Sequence, residues 1–497
     1  MIHNLARLAE EALERQGDGP AVCFEGRWHS AEELFERGTR LAGGVAQLGV
    51  EPGDRVVVLM ENCPEVGIVY HAVWRAGAVV TPAVFLLTRE ELRRMLLDAE
   101  PRLVLTTPAF LDTVEAGAAG LDVQVISTLA ELEQAEPAPI VPRADSDLAA
   151  LVYTGGTTGH AKGVMLSHEN LWLSGKAAHD VGHVAGITRS LTALPLSHSY
   201  GLLVLAVGLH ALERTRAVLM RWFEPSAWLE LAQEHAVQIA AVVPSMIHLL
   251  LAQRLEDYDL SALRFIASGA APLPAEAAQE LRRRVPGVEL REGYGLTETA
   301  ALVSSNPPGR VRPGSVGPPV AGTEVRVVDE ADRQLPPGEV GEICCHSGTV
   351  MLGYWRAPEL SDEVLRGGWL HTGDLGRLDE DGYLYVVDRK KDLIIRGGFN
   401  VFPRDVEEAL LEHPAVAGAC VVGRPDEVHG EEIVAFVSLV SGSETPGDDL
   451  IAFCKQRIGG YRYPREVQVL PALPLTPVGK VDRKALRAML AVEGGRR

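Results

Sequence analysis

Tyr153-Thr154-Gly155-Gly156-Thr157-Thr158-Gly159-His160-Ala161-Lys162-Gly163 follows the apolar run Leu148-Ala149-Ala150-Leu151-Val152. The run reads as a buried strand. Glycines after it let backbone N–H groups face inward, and such a concavity binds anions. Threonines add hydroxyl donors and Lys162 adds a point charge, so the set suits a polyphosphate. It is not the common NTPase loop, in which Gly-Lys-Ser/Thr opens a helix, because Gly163 follows Lys162. A plain hairpin tip is the competing reading.

Upstream, Ser30 to Leu34 is a capped helix start, Asp54 to Met60 a buried strand, and Pro64 to Ala76 a helix. Gly77 to Pro82 is the next strand, Glu90 to Ala99 a helix, and Arg102 to Thr106 a strand. This βαβ rhythm predicts a mainly parallel sheet covered by helices. Downstream, Leu191 to Leu196 reads as a strand ending in Ser197-His198-Ser199-Tyr200-Gly201. His198 thus falls at the edge where α/β sheets bind ligands, unless it is a hydrogen-bonded structural histidine. Ile239 to Val243 and Arg264 to Leu273 are further strands. The small residues of the second, Gly269 among them, leave room for a flat ring.

In Glu292-Gly293-Tyr294-Gly295-Leu296-Thr297-Glu298-Thr299, Tyr294 offers a stacking face between glycines. Thr297 and Glu298 suit a phosphate and Mg²⁺, or else cap a helix. Residues 310–388 read as short strands between Gly/Pro turns. There Trp369 to Gly376 places Asp374 in a tight loop, as a ribose-hydroxyl acceptor or a turn former. The charged break Asp388-Arg389-Lys390-Lys391-Asp392 then precedes a separate α+β pattern, which puts a boundary at Lys390/Lys391 and domains at 1–390 and 391–497. Leu475 to Arg483 is a Pro/Gly loop that holds up Lys480, with a solvated surface lysine as the competing reading.

A chain of 497 residues is too long for one ordinary core. Its net charge of −20 argues against general binding to nucleic acid or membrane surfaces. No apolar run approaches a membrane span, the first residues carry no signal-peptide pattern, and the six cysteines lack metal-ligand spacing. A reducing, cytoplasmic location is the expectation.

Taken in order, Tyr153–Gly163, Ser268–Leu273, Gly293–Thr299, His371–Gly376, Asp388–Asn400 and Leu475–Lys484 resemble the motifs of the adenylate-forming superfamily of acyl- and aryl-CoA synthetases, among them fatty-acid and 4-coumarate CoA ligases. The resemblance runs from about Ser30 to Leu486. It implies an α/β fold: a large N-terminal domain of two mainly parallel α/β sheets plus a β-rich subdomain, with a small mobile α+β C-terminal domain. It implies ATP, Mg²⁺ and coenzyme A as cofactors, a small-molecule carboxylic acid as substrate, and a monomer or homodimer. Thr154, Gly155, Gly156, Thr157, Thr158, Gly159 and Lys162 match the loop around the β- and γ-phosphates. Gly269, Ala270, Ala271 and Tyr294 match the adenine slot, with Glu292, Gly293 and Gly295 beside it. Thr297 and Glu298 match the α-phosphate and Mg²⁺ positions, and Asp374 and Arg389 the ribose partners. Lys480 matches the adenylation lysine and Lys391 the hinge. Arg396-Gly397-Gly398-Phe399 match the pantetheine channel, and His198 the gate of the acid pocket.

The implied chemistry joins two anions, a carboxylate and a triphosphate, so positioned charge on Lys480 and Mg²⁺ is what the transition state needs. A thiol then attacks the mixed anhydride, and one site cannot present both Lys480 and a thiol channel at once, hence a swinging domain. This sequence departs from the family at Gly155, where Ser is usual, at Ala161, where Pro is usual, and at Glu292, where amides are common. Weaker ATP binding is the most the first two imply, and the Glu292 carboxylate can still accept a hydrogen bond from the adenine amino group. The expected product is an acyl-CoA, in fatty-acid or aromatic-acid metabolism. Transfer to a carrier-protein thiol or an amine is the alternative, and an inactive nucleotide-binding scaffold the remote one. Tyr200, Val204, Val243, Ser245, Ala267, Gly269 and Gly293, with His198, are candidate walls of the acid pocket. None is Arg or Lys, which disfavours a second substrate carboxylate and leaves medium-chain fatty, aryl and arylpropenoic acids.

Overall fold

A computed structural model describes residues 4–154, 161–458, 460–476 and 481–494. Contacts divide the chain into two compact units, one of residues 1–325 and 345–370, the other of 326–344 and 371–497.

The first unit holds two sheets. The seven-stranded one runs Gly353–Tyr354, Lys162–Ser167, Leu148–Thr154, Val79–Ala83, Arg55–Leu59, Leu103–Thr106, Gln124–Ile126. Its strands from Leu148 onward in that order are parallel. Val56, Val57, Val58 and Leu59 are all buried, as are Leu103, Val104 and Leu105, because helices cover both faces of a parallel sheet. At its antiparallel end, the register pairs Thr154 with Lys162.

The eight-stranded sheet runs Ser304–Ser305, Glu289–Tyr294, Phe265–Ser268, Ile239–Val242, Arg189–Thr192, Arg216–Leu219, Pro20–Phe24, Arg27–Ser30. Only its two end pairs are antiparallel. The hairpin Pro20–Ser30 joins this sheet beside Arg216–Leu219, a partner far along the chain that no local pattern announces. Ser30 then caps the helix Ala31–Gln47, its hydroxyl accepting from the Glu33 N–H at 3.1 Å.

Two expectations are corrected. The strand read as Leu191 to Leu196 ends at Thr192. Beyond it Asn62 takes over the backbone: Nδ2 donates to Leu194 O at 2.9 Å, and Oδ1 accepts from Leu196 N at 2.9 Å. His198 therefore starts a helix, Ser199–His210, instead of ending a strand. Asp374 lies within the strand Leu370–Leu378, opposite Arg389, and not in a tight loop. The turn-like geometry belongs to Gly373, at φ +71°.

A four-stranded sheet runs Thr323–Val328, Gly341–Ser347, Leu370–Leu378, Leu384–Arg389. Toward the C-terminus a five-stranded sheet is built from Phe399–Val401, Ile394–Arg396, Gly430–Leu439 and Val416–Asp426, with Glu466–Leu470 on Gly430–Leu439. Helices Pro403–Leu411 and Gly447–Ile458 pack over it through Val406, Leu410, Leu450 and Cys454. Among the described residues no helix is long and apolar enough to cross a membrane.

Candidate active site

Gly155, Gly156, Thr157, Thr158 and Gly159 of the phosphate loop, and Lys480, lie outside the described residues. The frame around the loop is described. The Lys162 ammonium sits 5.1 Å from the centre of the Tyr354 ring, and the Tyr354 hydroxyl donates to Glu298 Oε1 at 2.9 Å. Met351 N binds the Glu298 carbonyl at 2.9 Å, which fixes the backbone that carries the carboxylate. Burial, and after it the Glu298 charge, pushes the Tyr354 hydroxyl well above its ordinary value, so it stays a donor. The structure thus brings Lys162 and Glu298 to one tyrosine. The Glu298 carboxylate is half-buried and oriented through one oxygen, which fits an oxygen ligand for a hard divalent cation.

Thr297, beside it in the short turn Thr297–Thr299, is buried and bonds through Oγ1 to Ser199 Oγ at 3.1 Å. Ser199 opens the helix that His198 caps, where His198 Nδ1 accepts the Tyr200 N–H at 3.3 Å. The α-phosphate candidate and the acid-gate candidate are therefore linked through one hydroxyl. Around them the backbone is strained: Ala270, Ala300 and Ala301 adopt φ +69°, +48° and +82°. Non-glycine residues rarely sit there, and such strain collects at functional sites. Gly295 is required by close approach, since a Cβ there would lie 2.1 Å from Ala301 O.

Tyr200 closes one side of the acid-pocket candidates. Its hydroxyl donates to Ala267 O at 3.2 Å, and a Cβ on Gly269 would lie 3.6 Å from its ring and 3.5 Å from Gly293 O. Tyr200, Ala267, Gly269 and Gly293 are thus brought together. Val204 lies on the same helix as Tyr200, whereas Val243 and Ser245 begin the separate helix Pro244–Leu251. Tyr294 ends the strand Glu289–Tyr294, on which the Glu292 carbonyl accepts Asn306 N at 3.1 Å, and Ala271 is exposed beyond Ala270.

In the second unit, Asp374 and Arg389 face each other across two antiparallel strands, with Arg389 Nε 3.5 Å from Asp374 Oδ1. Lys391 lies in the turn Lys390–Asp392. Arg396 is committed to Glu432 by two bonds, of 2.6 and 3.1 Å, which hold its guanidinium above its ordinary value. Gly397 and Gly398, at φ +57° and +80°, make the tip that lets Phe399 project, 56% exposed and stacked on Tyr461 at 4.6 Å.

Comparison with known proteins decides the family. Residues 9–355 match the model of the AMP-binding enzyme, and residues 405–480 that of the AMP-binding enzyme C-terminal domain. The chain belongs to the AMP-binding enzyme family, within the adenylate-forming superfamily. A feruloyl-CoA synthase from Amycolatopsis sp is 37% identical, over 97% of this chain and 96% of its own. A long-chain-fatty-acid–CoA ligase from Bacillus subtilis is 34% identical, over 97% and 94%. Among solved structures, ATP-bound MatB from Rhodopseudomonas palustris superposes with a TM-score of 0.90 at 32% identity, covering 98% of this chain and 99% of that one.

In this AMP-binding enzyme, sequence reasoning missed Tyr354, Ser199 and Tyr461. Ser199 lies inside the Ser197–Gly201 motif, but its partner Thr297 is 98 residues away. Tyr354 had one usable signal, an aromatic ring with a polar tip immediately after Gly353.

Proposed function

We propose that this AMP-forming acid–CoA ligase acts on an aryl or arylpropenoic acid. Its reaction is ATP-dependent activation of a carboxylic acid to an acyl-adenylate with release of pyrophosphate, then transfer of the acyl group to CoA with release of AMP. In our reading Thr154 to Lys162 holds the β- and γ-phosphates, and Tyr294 with Gly269, Ala270 and Ala271 the adenine. Thr297 donates to the α-phosphate, and Asp374 and Arg389 bind the ribose. Tyr354 orients the Glu298 carboxylate, and Lys480 neutralises the carboxylate and phosphate as they meet. Mg²⁺ held at Glu298 would supply further neutralisation of the phosphate charge. Residues 391–497 turn about Lys391, bringing Lys480 in for adenylation and Arg396 to Phe399 in for the thiol. The six cysteines, all buried and none in a disulfide, support a reducing, cytoplasmic setting.

The acid class rests on Tyr200. A ring tied by its hydroxyl to Ala267 O and lying against Gly269 gives a flat wall beside small residues, suited to a planar ring. The 37% identity to a feruloyl-CoA synthase points the same way. The test is a pyrophosphate-release screen over aryl, arylpropenoic and medium-chain fatty acids, with and without CoA. An arylpropenoic or benzoic acid should give the highest kcat/KM, and multiple turnovers should need CoA. A fatty acid as best substrate would overturn the acid class; turnover with an amine in place of CoA would overturn the acceptor.

A further inference from the structure

We propose that Glu342 is a positioning residue that ties the ribose-binding stretch to the fixed end of the hinge. The inference rests on the reading of Asp374, Arg389 and Lys391 given above. Glu342 lies on the strand Gly341–Ser347 and is only 7% exposed. A buried carboxylate is costly unless paired, and this one is used through both oxygens. Oε1 accepts the Gly373 N–H at 3.2 Å. Oε2 accepts Lys390 Nζ at 3.0 Å and lies 3.5 Å from His371 Nδ1. Burial pushes the carboxyl up, but Lys390 and His371 outweigh it and hold it below its ordinary value.

What this carboxylate holds gives it a role in the reaction. Gly373 immediately precedes Asp374, and its left-handed φ aims the strand that carries the Asp374 carboxylate toward Arg389. Lys390 follows Arg389 and immediately precedes Lys391. One side chain thus spans from the peptide before Asp374 to the residue before the hinge. On the far side of Lys391 the anchor changes: Asp392 Oδ1 accepts from Arg487 Nη2 at 2.6 Å. The two residues that flank Lys391 are thus anchored to different parts of the chain, Lys390 to Glu342 and Asp392 to the helix Arg483–Gly494, and rotation about Lys391 turns one anchor against the other. Asp374 and Arg389 then keep their place while the C-terminal part turns, so the ribose is held through both half-reactions.

The test uses the full-length protein carrying Glu342→Gln, Lys390→Met, both together, and Asp374→Ala. A glutamine can still accept the Gly373 N–H but cannot balance the Lys390 charge. Glu342→Gln should raise KM for ATP in pyrophosphate release roughly 10-fold, with KM for the acid within about twofold, and should slow transfer from supplied acyl-adenylate to CoA roughly 5-fold. Lys390→Met, at an exposed side chain, removes the same pairing and should reproduce both the raised KM for ATP and the slow transfer, and the double variant should be no worse than Glu342→Gln. A merely structural glutamate would lower the melting temperature and leave KM for ATP and the transfer rate of the folded protein unchanged, which would overturn the proposal. If Asp374→Ala raises KM for ATP and Glu342→Gln does not, the proposal fails while the ribose reading stands. If Asp374→Ala leaves KM for ATP unchanged, the ribose reading fails and takes the proposal with it.

Discussion

The Tyr354 hydroxyl donates to Glu298 Oε1 at 2.9 Å, under a ring that the Lys162 ammonium overlies at 5.1 Å. One tyrosine therefore orients the carboxylate proposed for the cation and supports the lysine proposed for the phosphates. Tyr354→Phe keeps the ring and removes only the donor. A hydrogen bond to a charged group contributes about 1.5–3 kcal/mol. The variant should thus need roughly 10-fold more Mg²⁺ for half-maximal pyrophosphate release, with little change in KM for the acid. A Mg²⁺ titration indistinguishable from the parent would show that Tyr354 is only packing.

Ser199 and Thr297 share one hydrogen bond of 3.1 Å, and both are buried. Thr297 Oγ1 donates to Ser199 Oγ here, so to donate its proton to the α-phosphate Thr297 must reverse that bond and accept from Ser199, because each hydroxyl has one proton. Ser199→Ala leaves Thr297 unoriented, and a neutral hydrogen bond contributes about 1 kcal/mol. The adenylation rate should fall roughly 5-fold, while transfer of supplied adenylate to CoA stays near the parent rate. Equal slowing of both half-reactions would argue for a general disturbance of the helix Ser199–His210.

These two contacts mark where the sequence stopped being legible. Val56 to Leu59 was readable as a strand because a strand buried on both faces is a continuous apolar run. The Ser30 cap was readable because its partner Glu33 is three residues away. The bonds Tyr354–Glu298 and Ser199–Thr297 close over 56 and 98 residues, and only the folded sheets bring their ends together. Asn62 shows the same limit from the other side. Its amide claims the backbone of Leu194 and Leu196, so an apolar, strand-like run leaves the sheet early. Asp374 looked like a turn residue next to Gly373, yet pairing with Arg389 put it in a strand.

Buried histidines make the fold acid-sensitive. Among the described residues, His71 has no hydrogen-bond partner on either ring nitrogen, and burial, helped by Arg75, pushes it down to about 3. Burial likewise lowers His168 and His210 to about 4. Unfolded histidines bind protons below about 6.5 while these folded ones do not, so stability is intact above that pH and is lost as pH falls toward 4. The slope is about 1.4 kcal/mol per pH unit for each histidine. His71→Leu, which fills similar space without a proton site, should gain about 2 kcal/mol more stability at pH 5 than at pH 7. Denaturant midpoints at the two pH values measure this. The same change at both would mean that His71 does not titrate on unfolding.

The alternating-domain reading makes the sharpest demand, because it assigns the two half-reactions to different placements of one segment. Lys480 is the residue assigned above to adenylation, and Lys391 lies in a three-residue turn whose members Lys390 and Asp392 are tied to Glu342 and Arg487. Lys480→Ala removes a positioned charge from the adenylation transition state, which should cost on the order of 10²–10³-fold in acyl-adenylate formation. On this reading it should still convert supplied acyl-adenylate and CoA to the thioester at near the parent rate, since Lys480 would be withdrawn for that step. Lys391→Pro acts on the proposed hinge: proline fixes φ near −65° and also restricts the residue before it. That variant should form adenylate and then transfer it slowly. Each variant is assayed for pyrophosphate release in the presence of acid and for thioester formation from the purified adenylate. Equal slowing of both steps by Lys480→Ala, or of neither by Lys391→Pro, would rule out a rotation about residue 391 as the link between the two reactions.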